Sequence, residues 1–397
     1  MSVTILQLTP HDPIIARDGR PFGAGQGNRM RGLNWPLPSV VAGSFRTALV
    51  KAHPDLDFGG DVPQRLMAIE VAGAFPTAGG ELYLPAPHDC VWNGDTGEIH
   101  AVKPLPIDEG GCDFPVDGLR PAMYSDDPKK PDFKPKPVPA WWPVGKLTDW
   151  LLGKPVTFDA RFLNAAVQGT RDHVSLDAVR GAAAEGQIFA TAGLSVTHLP
   201  RFDPNNLPQD QKSKTFAERF AGITLTARVT MTGQAFEHLQ QLNTWHPLGG
   251  ERRLVHWQRS EAADLWKSPE PVRAELGNAD KIRMVLATPA IFEHGWRPGW
   301  LDERLEGRPF DNGPKLKLVG VNNGRWKAVS GWSLAKLKDQ PRGPKPIRRM
   351  VPAGGVYFFE KVEGDSNILA THGWLRPVSD SPQDRNDGFG LAIWGAW

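Results

Sequence analysis

Proline and glycine set the first limit on what this chain can become. Its 397 residues include 42 glycines and 37 prolines, about a fifth of the whole where about 12% is ordinary. Each proline withdraws a backbone donor and fixes φ, and each glycine adds backbone freedom that folding must remove. At that density the sequence predicts short strands and helices joined by many irregular loops. The length suits two domains of about 100–200 residues. No window reaches the roughly 18 uncharged apolar residues of a spanning helix. The start, Met1-Ser2-Val3-Thr4-Ile5-Leu6, lacks the basic opening and apolar run of a signal peptide. Cys90 and Cys112 are the only cysteines, too few for a disulfide framework or a zinc knuckle. The expectation is a reduced, cytoplasmic protein that does not engage a membrane.

Hydrophobic periodicity supplies the elements. Val3 to Leu8 has strand length and stops before Pro10. A helix is expected from Ser39, with Val40, Val41, Phe45, Ala48 and Leu49 on one face. Arg120 to Pro143 holds seven prolines and four lysines, which predicts an exposed insertion without regular structure. His173 to Asp177 pairs with Gln187 to Thr191 as a hairpin. In Ile223 to Met231, Ile223, Leu225, Ala227, Val229 and Met231 alternate with Thr224, Thr226, Arg228 and Thr230, predicting one buried and one wet face. Gln234 to Leu242 reads as helix and Arg253 to Trp257 as strand. This order is that of a ferredoxin-like α+β unit. A shorter second pass gives strands at Lys281 to Ala287, Lys315 to Val321, Val356 to Glu360 and Phe389 to Trp394, with a helix at Trp300 to Leu305. The boundary falls near Ser260 to Pro269. The predicted class is therefore α+β, with domains at 1–262, carrying an insertion at about 100–155, and 263–397.

The net charge of +2 is uninformative, but its distribution is not. Between Pro314 and Gly355 stand Lys315, Lys317, Arg325, Lys327, Lys336, Lys338, Arg342, Lys345, Arg348 and Arg349, with Asp339 the one acid. That block carries +9, leaving −7 elsewhere, and suits a polyanion as well as a solvated surface. Trp326 and Trp332 lie among its cations and Tyr357 and Phe358 follow directly, the combination that base stacking and phosphate contact require. A second cluster runs from Arg17 to Gly32, with Arg17, Arg20, Arg29 and Arg31 interleaved among five glycines. Glycine permits close backbone approach and arginine offers a forked donor, so a phosphate cradle and a solvent loop both fit. Neither a Walker loop nor a dinucleotide fingerprint is present.

Five motifs in order resemble the family of the third Cmr subunit, RAMP-superfamily proteins of type III-B CRISPR effector complexes. They are Asp12-Pro13 with Arg17-Asp18-Gly19-Arg20-Pro21-Phe22, and Pro38-Ser39, Ala42-Gly43 with Arg46-Thr47-Ala48-Leu49. Then come Leu248-Gly249-Gly250-Glu251-Arg252-Arg253, Arg348-Arg349 with Val351-Pro352-Ala353-Gly354, and Gly388-Phe389-Gly390-Leu391-Ala392. The resemblance implies two ferredoxin-like (RRM-like) domains with long insertions and glycine-rich loops. It implies a non-catalytic subunit, free of cofactor and metal, that grips the repeat-derived 5′ tag of the guide RNA (crRNA) in antiviral defence. It also implies docking against a large polymerase/cyclase-like subunit, with backbone RAMP subunits stacked beyond it. By motif position, Arg17, Arg20, Arg29 and Arg31 would hold phosphates while Gly23, Gly25 and Gly27 admit backbone amides. Arg46, Gly249, Gly250, Arg252, Arg253, Arg348 and Arg349 would line the same path, with Gly388 and Gly390 in a loop pressed on RNA.

A rival reading is a metal-independent endoribonuclease that processes guide RNA with a histidine general base. Eleven histidines occur, none at metal-ligand spacing, and His11 and His173 stand nearest the candidate motifs. No carboxylate pair suits acid–base work; Asp126-Asp127 and Asp302-Glu303 read as solvated. A third reading is a protein scaffold that never touches RNA.

Overall fold

The structure, a computed structural model, describes residues 2–18, 28–54, 62–106, 114, 116–124, 133–204, 214–231, 235–333 and 343–397. It is mixed α/β, strand-rich with few helices.

The first sheet draws on seven strands: β1 (Ser2–Pro10), β2 (Glu70–Ala78), β3 (Glu81–Pro85), β4 (Trp141–Pro143), β7 (Thr224–Met231), β8 (Asn243–Pro247) and β9 (Leu254–Ser260). A hairpin of β5 (Val167–Leu176) and β6 (Ala183–Ser195) stands apart. The sheet order is β8-β9-β1-β7-β2-β3-β4, antiparallel throughout. Helix α1 (Pro38–Ala52) follows β1 and α3 (Ala235–Gln240) follows β7. Proline at the first turn of α1 costs no hydrogen bond, and Lys51 in its last turn meets the negative helix end. Val41, Phe45, Ala48 and Leu49 form its buried stripe. Phe45 rests 5.7 Å from Trp257 of β9, and truncating it to alanine costs about 3–5 kcal/mol.

The second sheet contains β10 (Lys281–Leu286), β11 (Lys315–Asn322), β12 (Val356–Glu363) and β13 (Leu391–Ala396) in the order β11-β12-β10-β13. Two-residue strands at Glu306–Gly307 and Arg376–Pro377 flank it. Helix α4 (Glu270–Asn278) precedes β10, and α5 (Asn367–Thr371) and α6 (Pro382–Asn386) lie between β12 and β13. Buried residues of both sheets belong to one continuous core. No helix among the described residues is long and apolar enough to cross a membrane.

Several expectations are corrected. β7 has no wet face: Trp266 lies against Arg228 at 5.5 Å, Arg228 Nη2 donates to the Leu375 carbonyl at 2.6 Å, and Thr226 is buried. Burial there pulls the Arg228 guanidinium down to about 10. The proline-rich stretch is not wholly irregular, because Trp141 and Trp142 add strand β4 to the sheet edge. Trp142 is fully buried and is followed directly by helix α2 (Val144–Leu151). Trp300 to Leu305 forms a turn rather than a helix, because the Asp302 carboxylate accepts from the Arg304 and Glu306 N–H groups at 2.9 Å each. Tyr357 and Phe358 alternate on β12 yet are both fully buried, so neither joins the basic surface.

Candidate nucleic-acid interface

The hairpin organises the candidate site. Its two strands pair His173 with Phe189 and Val174 with Ile188, as the sequence leads one to expect, but extend well beyond those segments. Residues Asn28–Arg29 run parallel to β6 at Phe189 and Ala190, and Met30 N–H donates to the Ala190 carbonyl at 2.9 Å. Arg17 bridges Gly32, and Asp18 N–H donates to the Arg31 carbonyl at 3.3 Å. Ile14 is tied to Leu194 and Ile15 to Gly249. Arg17, the Arg29 backbone, Arg31 and the Gly249–Arg253 turn therefore gather at the hairpin base, although Gly32 and Gly249 lie more than two hundred positions apart.

Local geometry explains the turn. Gly249 has φ +81°, and a Cβ there would overlap the Ile15 carbonyl oxygen, so only glycine lets the two segments meet. Gly250 N–H donates to that same oxygen at 2.9 Å. Glu251 and Arg252 follow with φ of 55° and 53°. Arg252 projects to solvent, while Arg253 Nη2 donates to Glu251 Oε2 at 2.9 Å. Arg17 and Arg31 are exposed. On the hairpin, the His173 ring stacks on Phe189 at 5.1 Å, and its Nε2 lies 2.8 Å from Thr191 Oγ1. Arg20, Gly23, Gly25 and Gly27 lie outside the described residues.

From Gly249 a cleft of about 660 Å³ leads along α1 to the second half, where Trp332, Lys345 and Arg348 line it. On the α1 side Val40, Ser44 and Arg46 line it together with Ser39, Gly43 and Thr47. The last three, all small, repeat every four positions, a stripe visible in the sequence but missing from the candidates. Arg348 grips Asp384 with two bonds of 2.7 and 2.8 Å. The Arg349 guanidinium sits 4.8 Å from the Trp326 ring centre, and Trp326 and Trp332 are exposed. Of the described cations of the basic block, Lys345 and Arg348 line the cleft; Lys336, Lys338 and Arg342 lie outside the described residues.

Three candidates are engaged within the protein, although Arg46 also lines the cleft. Arg46 is 8% exposed, pairs with Asp387 Oδ1 at 2.5 Å and donates to the Ile69 carbonyl at 2.7 Å. Its charge is committed to the junction between the two sheets. Gly388 and Gly390 are buried packing positions, not a loop open to a ligand. At φ +87° and +78°, a Cβ on them would overlap the Val71 carbonyl oxygen and Ser379 respectively. The junction also holds Arg283 paired with Asp89 Oδ2 at 2.7 Å, at 2% and 0% side-chain exposure. Trp150 Nε1 donates to the other Asp89 oxygen at 2.9 Å, and Arg283 donates to the Trp150 carbonyl.

Among the described residues no group of three or more His, Cys, Asp or Glu side chains could hold a metal ion. Among the described residues the arrangement offers exposed guanidinium groups beside exposed aromatic rings, the kinds of group that contact a single-stranded polyanion.

A family model described as "CRISPR-associated protein (Cas_Cmr3)" matches residues 6–397. No curated protein matches. Among solved structures, one similar chain belongs to a cryo-EM structure of the type III-B Cmr-beta complex bound to cognate target RNA and AMPPnP. It is 13% identical with a TM-score of 0.44, covering 89% of this chain and 86% of that one. Another belongs to a crystal structure of the Csm3-Csm4 subcomplex of the type III-A interference complex. It is 10% identical with a TM-score of 0.33, covering 91% of this chain and 94% of that one.

Proposed function

The chain belongs to the Cas_Cmr3 family of CRISPR-associated proteins, and from that premise we propose that it is a guide-RNA-holding subunit of a type III-B effector ribonucleoprotein. In this reading it grips the repeat-derived 5′ tag, contacts the large polymerase/cyclase-like subunit and the backbone RAMP subunits, and cuts nothing itself. Both halves are read as ferredoxin-like units: each sheet contains four strands in the spatial order 4-1-3-2, counted along its own half. One boundary near residue 262 separates them.

The observation that carries the reading is the meeting of Arg17, Arg31 and the Gly249–Arg253 turn at the hairpin base, continuous with the cleft that ends at Arg348. A strand of RNA laid along that route meets guanidinium groups at both ends and helix α1 between them. The test is an anisotropy titration of labelled tag RNA over a salt series. Each single-strand phosphate contact contributes about −0.7 to the log–log slope, so a steep slope is expected. Arg17→Glu combined with Arg31→Glu should abolish tag binding and flatten the slope. The same variant should move unfolding stability by less than about 0.5 kcal/mol, as exposed substitutions do. Wild-type affinity in that variant removes the hairpin base from the path. Tag RNA incubated with the chain without metal should stay intact, whereas a discrete product would favour the endoribonuclease.

A further inference from the structure

The face of the first sheet opposite α1 holds a second surface that the tag route does not use. Pairing places Ile5, Gln7 and Thr9 of β1, Arg228 of β7, Trp245 of β8, and His256 and Gln258 of β9 on that face. Trp257, one residue along, points the other way onto α1, donating from Nε1 to Ser44 Oγ at 3.3 Å. Half of the face is closed: Trp266 covers Arg228 and packs on Phe75 at 5.4 Å, and Ile5 is 3% exposed. The half nearest the β8 edge is open. There Trp245 is 54% exposed, with His256 lying tilted against it at 4.8 Å and His11 edge-on at 5.9 Å. His256 is itself held by Asn243 Oδ1, 2.6 Å from its Nε2.

We infer that Trp245, backed by His256 and His11, is a stacking platform for a nucleobase of single-stranded RNA. An indole steadied by two imidazoles yet 54% exposed is pre-ordered for a further ring. Its neighbours in the sheet are Gln7, Thr9, Asn243 and Gln258, neutral amides and a hydroxyl that suit base edges rather than a charged protein patch. The platform is also continuous with the arginine rim, because β9 begins at Leu254 directly after Arg252 and Arg253. RNA leaving the rim therefore reaches the sheet without crossing a gap. The inference rests on the RNA-binding reading above and adds a base-contacting surface to its phosphate contacts.

The experiment titrates the full chain, as wild type, W245A, W245F and the Arg17→Glu/Arg31→Glu variant, into a labelled single-stranded RNA of about ten nucleotides at several salt concentrations. W245A should weaken binding about tenfold or more at every salt while leaving the salt slope unchanged, because a stacked base is lost and no phosphate contact is. W245F should recover most of the loss. Thermal unfolding of W245A, expected near wild type for an exposed side chain, separates a lost contact from a lost fold. Unchanged affinity in W245A, with binding lost in the arginine variant, overturns the platform and leaves the arginine route standing. W245A that binds RNA normally but no longer joins its partner subunits also overturns it, making the edge a protein contact. A wild-type chain that binds no RNA overturns both readings together.

Discussion

The hairpin base and the junction between the two sheets are both built with arginine, yet they use it in opposite ways. At the hairpin base Arg17, Arg31 and Arg252 face water, where a guanidinium stays hydrated and available. In the junction Arg46 and Arg283 are buried against Asp387 and Asp89, where each charge is tolerable only because its partner is fixed. An arginine in sequence therefore announces a charge but not its office; the carboxylate that meets it decides. Arg348 stands between the two cases, lining the cleft while held by Asp384, which is 4% exposed.

That contrast can be broken most forcefully at Asp89. Asp89→Ala leaves the Arg283 guanidinium buried and unpaired, and should cost about 3–5 kcal/mol of unfolding free energy in a denaturant titration. A loss below about 1 kcal/mol would mean that water reaches the junction. A smaller effect comes from Gly388→Ala, where the left-handed backbone and the overlap with the Val71 carbonyl should cost about 1–3 kcal/mol. Tag binding per folded molecule should not change; a selective loss of RNA affinity would return Gly388 to the interface. The smallest effect is a pH dependence. Burial lowers the His88 pKa below its usual 6.5, and His88 Nδ1 accepts the Gly324 N–H at 2.9 Å, which requires a neutral ring. The unfolded chain takes up that proton first as pH falls, so the stabilisation is present above pH 6.5 and is lost as pH drops through the lower folded value. Thermal midpoints should decline from pH 7 toward pH 5, and less steeply in His88→Gln. Equal declines would show that the ring is not the group responsible, since burial also lowers His53 and His246 in the same direction.

Strands were the most legible part of this fold. Val3 to Leu8 and Lys315 to Val321 show their pairing through length and composition, and the structure extends each by no more than two residues at either end. What covers a strand was less visible. The alternation across Thr224 to Met231 is genuine, but Trp266 and Leu375 come from distant sequence to seal the polar side. Prolines from Arg120 onward hid β4, because two tryptophans can anchor a three-residue edge strand that no periodicity reveals. At the candidate site, Arg17, Arg31 and Arg252 were singled out by motif position, and backbone bridges bring their segments together at the hairpin base. The diversion of Arg46 to Asp387 was not legible, since nothing local marks a partner 341 positions away.

Synthesis on a ribosome delivers Asp89 a full 194 residues before Arg283. At about 5–20 residues per second that interval lasts about 10–40 seconds. Throughout it, the nascent first half carries a carboxylate whose countercharge has not yet been made. Val71 and Leu151 likewise wait for Gly388 and Gly395 to close against them. The last strand to be made therefore completes contacts that the first half leaves open until then.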